Sequence, residues 1–327
     1  MTAQYLISKT LVVLLTLAVL LVLQFAIFRL MPGDPTATVL SGGMTLEVQQ
    51  ELERLWGLDK PLKEQFLLYA KNIARLDFGV SFFKNEPVRE ILKDRFWNTI
   101  VFMAVAMLWA NTVGISLGVL SVAFRNRLVD SLSLLAGSLA RSTPLFVTGI
   151  LLLIVFAHEW NWFPTGGMHA IGAVYGSPRE RFLNLDFLHH LILPTLVAGL
   201  FYFTTPFFIM RAAMLEYVGS SQAALARAKG MSRSGVLIRH MARNALNPVI
   251  TSVALSLGFS IGGQVVVETL FRWPGMGSEL VFSTLRHDYP VMQGIFFFIS
   301  ITVIFLNYLT DLLYLVLDPR VRYSGRE

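Results

Sequence analysis

What most constrains this chain is where its charge is missing. Six long stretches are almost free of charged residues, which gather between them: Thr10–Phe28, Phe96–Phe124, Ser131–Ala157, Leu191–Met210, Asn244–Val267 and Tyr289–Thr310. About 20 apolar residues in a helix cross a hydrocarbon layer about 30 Å thick. A membrane strand would need only ~10 residues in strict alternation, a pattern these stretches lack. They predict an all-α membrane protein with about six transmembrane helices. Composition agrees, because only 15% of the residues are charged, against about 25% in a soluble domain.

The chain has no cysteine, which excludes disulfides, thiolate nucleophiles and Cys-based metal sites. A net charge of +6 raises nucleic acid as a partner, but much of the excess sits beside span ends, as the positive-inside bias requires. With the N-terminus placed in the cytoplasm, inner segments hold twelve Lys and Arg residues and short outer loops hold four. Both termini are therefore expected inside. The first span exceeds a signal-peptide core, and Arg29-Leu30-Met31-Pro32 offers no small-residue cleavage site.

Residues 31–95 form a long outer segment with nine basic and ten acidic residues, too long to vote on orientation. It reads as a small folded insertion. Leu46, Leu52, Leu55 and Trp56 suggest a short amphipathic helix stopped by Gly57. Pro61 opens a second helix with Leu62, Phe66, Tyr69, Ile73 and Leu76 on one stripe.

Several motifs carry no chemistry here. G-x-S-x-G occurs at Gly114-Ser116-Gly118 and Gly258-Ser260-Gly262, but inside apolar helices, where glycines let helices approach rather than expose a nucleophile. His189-His190 lacks a ligand set, and no phosphate-binding G-x-x-x-x-G-K-[ST] loop exists.

The loop between the fourth and fifth spans is the most informative stretch. Gln222–Lys229 is strongly helix-favouring, Gly230 stands where a left-handed cap falls, and Ser232 or Ser234 can cap a second helix running towards Pro248. On physical grounds this is either an element that carries a push from a cytoplasmic partner to the membrane, or a basic loop anchored to anionic lipid. The run ARAKG (226–230) with RHMARNALNPVIT (239–251) resembles the coupling segment of ABC importer permeases, specifically the dipeptide, oligopeptide and nickel importer family. Further phrases of that family follow in its order: MPGDP (31–35), GLDKPL (57–62), LDFGVSF (76–82), VVETLFRWPGMG (266–277), DYPVMQG (288–294) and DPRVRY (318–323). Ser220-Ser221-Gln222 departs from it, since relatives tend to carry an acidic pair and Tyr there. An ATPase contact made by that pair would be weaker or differently made.

The resemblance implies a type I ABC importer permease, with residues 1–327 as one transmembrane domain, 31–95 an extracytoplasmic insertion and 211–246 a cytoplasmic coupling segment. It implies a bacterial inner membrane, a second homologous permease, two cytoplasmic ATPase subunits and an extracytoplasmic solute-binding protein. The chain itself would be no enzyme and bind no cofactor, with ATP and Mg on the partners; membrane lipid surrounds it and nucleic acid is not a partner. Gln222, Ala223, Ala224, Leu225, Ala226, Arg227, Ala228, Lys229, Gly230 and Met231 would lie in an ATPase groove.

Within the spans, Arg141 is either a pathway group that attracts a carboxylate, or marks a span that starts near Ser142 and snorkels. Glu268 belongs to an outer gate or a binding-protein contact, or pairs with Arg272 at the interface. Asp311 is a structural or interfacial contact. Other than Arg141 the spans are nearly free of charge, which disfavours the alternative of a stand-alone secondary transporter.

Overall fold

A computed structural model describes residues 3–30, 60–123, 127–232, 235–260 and 264–317. Within them lie thirteen α-helices: α1 Ala3–Leu30, α2 Leu62–Ala74, α3 Val88–Ala123, α4 Arg127–Ser142, α5 Leu145–Leu152, α6 Pro178–Phe182, α7 Leu185–Tyr202, α8 Thr204–Val218, α9 Ser221–Ala228, α10 Arg243–Ser260, α11 Val265–Leu270, α12 Met276–Leu285 and α13 Tyr289–Leu317. A π-helical turn, Leu153–Glu159, extends α5, and another, Val236–Ala242, leads into α10. The described residues form no strand, only a single bridge between Val80 and Pro87. The expected outer helix around Leu46–Trp56, and the phrases MPGDP and DPRVRY, lie outside the described residues.

Four described helices are long and apolar enough to cross a membrane: 7–29 of α1, α3, α7 and 289–312 of α13. The bent pair α4 and α5 makes a fifth if counted as one span. The membrane class expected from the sequence is met, with three of the expected spans drawn differently. The third, Ser131–Ala157, is broken: α4 and α5 meet at 106°. Pro144 is the cause, since it has no N–H for the ladder and disfavours helical geometry at Thr143. Thr143 turns its hydroxyl back to the Leu139 carbonyl at 2.8 Å. The fourth is divided at Phe203, because Pro206 has no N–H to give the Tyr202 carbonyl. Of the fifth, the described residues hold α10 up to Ser260 and α11 from Val265; α10 by itself is not among the apolar helices, because Asn244, Asn247, Thr251, Ser252, Ser256 and Ser260 dilute it.

The chain divides into two compact units, residues 1–99 with 274–308 and residues 100–273 with 309–327. In the first, α2 lies on α1. The Phe25 ring meets Phe66 edge-on at 5.3 Å and Tyr69 at 5.8 Å, and Tyr69 donates its hydroxyl to Gln24 Oε1 at 3.2 Å. The predicted stripe holds for Phe66, Tyr69 and Ile73. It fails at Leu62 and Leu76, which are exposed, while Gln65 is buried. Leu76 lies past the helix end at φ +54°.

A strap over residues 75–87 then folds back and is held by two acids. Asp288 accepts the Ser81 hydroxyl and the N–H groups of Phe82 (3.2 Å) and Phe83 (3.3 Å). Glu279, only 5% exposed, takes Lys84 and, at 2.9 Å, Arg95 Nε. Beneath them Phe78, Val88, Leu92, Met276, Val291 and Ile295 form the apolar core. Gly294 admits this packing, as a Cβ there would stand 2.8 Å from Leu92 Cδ1. The phrases LDFGVSF and DYPVMQG, far apart in sequence, thus build one structure.

The second unit packs Phe102, Phe187, Val197, Phe271 and Trp273 into a core. Its closest approaches run through glycine. A Cβ on Gly199 would lie 2.0 Å from the Trp109 ring, one on Gly114 2.5 Å from the Phe203 carbonyl, and one on Gly118 2.7 Å from Met210 Cβ. The first G-x-S-x-G is therefore a close-packing face. In the second copy Ser260 is buried, while Gly262 lies outside the described residues.

Asp288→Ala should free the strap. Losing one acceptor for two N–H groups and a hydroxyl costs roughly 3 kcal/mol locally, so amide exchange at Phe82 and Phe83 rises about 100-fold by mass spectrometry. Unchanged protection there would show that the strap is held by other contacts.

Candidate functional site

The segment after α8 is built by local rules. Ser220 caps α9: its hydroxyl accepts the Ala223 N–H at 3.2 Å and donates to the Tyr217 carbonyl at 2.8 Å. The helix closes with the Gly230 N–H on the Arg227 carbonyl (3.0 Å) and the Met231 N–H on the Ala226 carbonyl (3.2 Å). These are the two bonds of a Schellman cap. Gly230 takes the left-handed residue at φ +78°, and a Cβ there would meet open space. Its requirement is thus conformational rather than steric. Ser232 accepts the Gly235 N–H at 3.2 Å and opens the next turn; Ser234 lies outside the described residues.

One face of α9 is anchored and the other is free. Ala223 and Ala226 are buried among Met210, Met214, Val236, Leu237 and Met241. Gln222, Ala224, Leu225, Arg227, Ala228 and Lys229 are exposed, Leu225 by 58%. Ile238, Arg239 and His240 of the following π-turn are exposed as well. Such turns recur at functional sites. Gln222 Oε1 accepts the Asn244 amide at 3.2 Å, tying α9 to the start of α10. Arg211 of α8 grips Asp130 of α4 through two parallel 2.8 Å bonds.

Arg141 sits in the last turn of α4, one turn before the Pro144 break. It lines a cavity of about 490 Å3 with Phe201, Tyr202, Thr204, Thr205, Ser252, Leu255 and Ser256. One guanidinium and five hydroxyls thus line it, drawn from α4, α7, α8 and α10. Glu268 is not brought there. It is fully buried in α11, while Arg272, four residues on, is exposed.

Two further polar groups escaped sequence reasoning. Gln264 is 1% exposed; its amide donates to the Tyr202 hydroxyl at 3.0 Å, and its Oε1 is buried without a partner. A lone Gln in an apolar run gives no periodic signal. His169 lies in the loop before α6, with Nδ1 3.4 Å from the Asp186 carboxylate, which also accepts the Ala170 N–H and the Tyr175 hydroxyl, each at 3.0 Å. His189 and His190 bond the Trp162 and Asp186 carbonyls.

Residues 110–323 match the family described as binding-protein-dependent transport system inner membrane component, and residues 2–103 match the N-terminal region of such membrane components. The chain belongs to this family. The permease is 34% identical over 320 residues to the glutathione transport system permease protein GsiC of Escherichia coli (strain K12), covering 98% of the permease and 99% of GsiC. The same values relate it to GsiC of Shigella dysenteriae serotype 1 (strain Sd197). In fold it resembles the inward-facing MetNI methionine ABC transporter, with a TM-score of 0.53 at 14% identity over 70% of the permease and 96% of that chain. The permease is a multi-pass inner-membrane protein and the pore-forming subunit of a binding-protein-dependent ABC importer of the peptide type. Its ATPase and solute-binding functions reside on separate partners.

Burial pushes the His169 imidazole below its ordinary range, outweighing the upward pull of Asp186, with the His190 and Arg181 charges adding to the lowering. The folded loop thus takes up this proton less readily than the unfolded chain. Stability is full above the ordinary His range and falls as pH drops through it. Between about pH 7.5 and 5.5, amide exchange of the 169–175 loop, corrected for its intrinsic rate, should rise, and His169→Phe should abolish that rise.

Proposed function

We propose that the permease couples ATP-driven closure of two cytoplasmic ATPase chains to alternating access of a pore shared with a second, homologous permease, and that the solutes are peptide-like molecules with free carboxylates, glutathione among them. In this reading residues 1–327 are one transmembrane domain, both termini are cytoplasmic, residues 31–95 are the extracytoplasmic insertion and 211–246 the coupling segment. The chain carries no cofactor, ATP and Mg being held by the ATPases. The observation that carries the reading is α9. It is a short helix anchored by Ala223 and Ala226 with its opposite face exposed, joined through a glycine cap to π-helix and then α10. Residues Gln222 to Met231 are the ATPase contact. Ser220 acts within it as a helix cap, and Gln222 as a tie to Asn244.

For the solute, the support is the Arg141 cavity. A guanidinium among hydroxyls offers a charge-assisted contact to a carboxylate and neutral hydrogen bonds to amides, weak enough to release a passing solute. The name of the GsiC relatives adds glutathione, which bears two carboxylates. Glu268 stands as a gate residue, buried in α11 next to the Trp273 turn.

Reconstituted importer with its binding protein tests both halves. Gly230→Val strains the left-handed residue by roughly 1–2 kcal/mol and should lower uptake per ATP hydrolysed. Gly230→Asn, which tolerates that conformation, should keep the ratio; equal ratios in both variants would remove α9 as the coupling element. Arg141→Ala should cut uptake of a free dipeptide roughly tenfold while leaving its C-terminal amide little changed. A uniform loss for both solutes would make Arg141 structural.

A further inference from the structure

A second cavity, of about 340 Å3, lies wholly within the first unit, at the Arg29 end of the first span. Two of its lining residues carry opposite charges, Arg29 and Asp77; among the described residues no carboxylate pairs with Arg29, whose guanidinium stands 5.6 Å over the Phe25 ring. The amides of Asn72 and Gln293 complete the polar side, and Leu68 and Phe78 line the apolar side. A ligand matching this wall has an anion and a cation in one head and an apolar body.

The surroundings are those of a lipid interface. The cavity opens where a span ends, at head-group depth. Helix α2 beside it exposes Leu62 (65%) and Leu67 (58%) together with Lys63 and Lys71. Along α1 the exposed Val22, on the side of Phe25 and Arg29, continues the apolar surface away from the cavity. The cavity is too small for a whole lipid but holds a head group and glycerol, with the acyl chains laid along α1. Tyr69, whose hydroxyl burial pushes up to about 12, stays neutral in this wall, its proton given to Gln24.

We propose that this cavity binds one zwitterionic phospholipid with a primary ammonium head group, phosphatidylethanolamine in chemistry, its phosphate on Arg29 and its ammonium on Asp77. An ammonium donates three hydrogen bonds, which Asp77 and the amide carbonyls of Asn72 and Gln293 accept. A quaternary choline has none to give. The site is independent of the solute pathway proposed above.

Native mass spectrometry of the intact, delipidated importer, offered phosphatidylethanolamine, phosphatidylcholine or phosphatidylglycerol at equal concentration, tests this. Wild type should retain one phosphatidylethanolamine per permease chain, with the other two held roughly tenfold less. Asp77→Asn should bring phosphatidylethanolamine down to the phosphatidylcholine level. Arg29→Gln should lower all three lipids, and Arg29→Lys should restore them in part. Leu68→Trp, which fills the cavity and keeps both charges, should abolish the adduct in complexes that still carry the ATPase. Equal retention of the three lipids by wild type, or an unchanged adduct in Leu68→Trp, overturns the proposal. Displacement by glycerophosphoethanolamine, or by a free dipeptide, at the lipid's own concentration would make the ligand a soluble zwitterion and overturn it equally.

Discussion

A backbone N–H or carbonyl left without a partner in hydrocarbon costs several kcal/mol. That single constraint makes every membrane segment of this protein a helix, and it gives meaning to each place where the helix stops. Among the described residues, two interruptions have a proline as their cause: Pro144 between α4 and α5, and Pro206 at the start of α8. Polar residues collect around them. Arg141 and Thr143 precede the first proline, and Tyr202, Thr204 and Thr205 surround the second. The Arg141 cavity lies beside these breaks, and Ser252 and Ser256 of α10 add to its polar wall.

The rest of the fold uses small residues to bring the helices together. Apolar side chains gain little from leaving lipid for protein, so close contact must come from shape. Gly114, Gly118 and Gly199 supply it in the second unit and Gly294 in the first. Outside the membrane helices, charge takes over. Asp288 and Glu279 gather the strap that carries Ser81, Phe82, Phe83 and Lys84, adding polar ties to the burial of Phe78.

The segment around α9 combines the two modes. Its inner face is alanine and methionine packing, and its outer face is exposed. Where the family resemblance led to the expectation of an acidic pair, Ser220 serves as cap and Gln222 ties to Asn244. These bonds stiffen the element from within. They leave Leu225, Arg227 and Lys229 exposed.

The sequence by itself determined the class of the protein. Uncharged runs of span length, the basic bias of the presumed inner loops and the ordered family phrases suffice for a helical importer permease, because hydrophobic length and local capping are properties of neighbouring residues. The C-terminal end of α9 was legible for the same reason, as Gly230 acts within a few residues of itself, whereas the cap that Ser220 makes came only with the structure. Only the tertiary structure decided the rest. That Asp288 serves Ser81, that Gly294 receives Leu92, that Arg141 shares a cavity with Ser252, and that Glu268 is buried all depend on residues distant in sequence. Helix breaks also bent the third span where a hydropathy reading drew it straight. Hydropathy measures where a segment is content to lie; which side chains meet there is settled by packing in three dimensions.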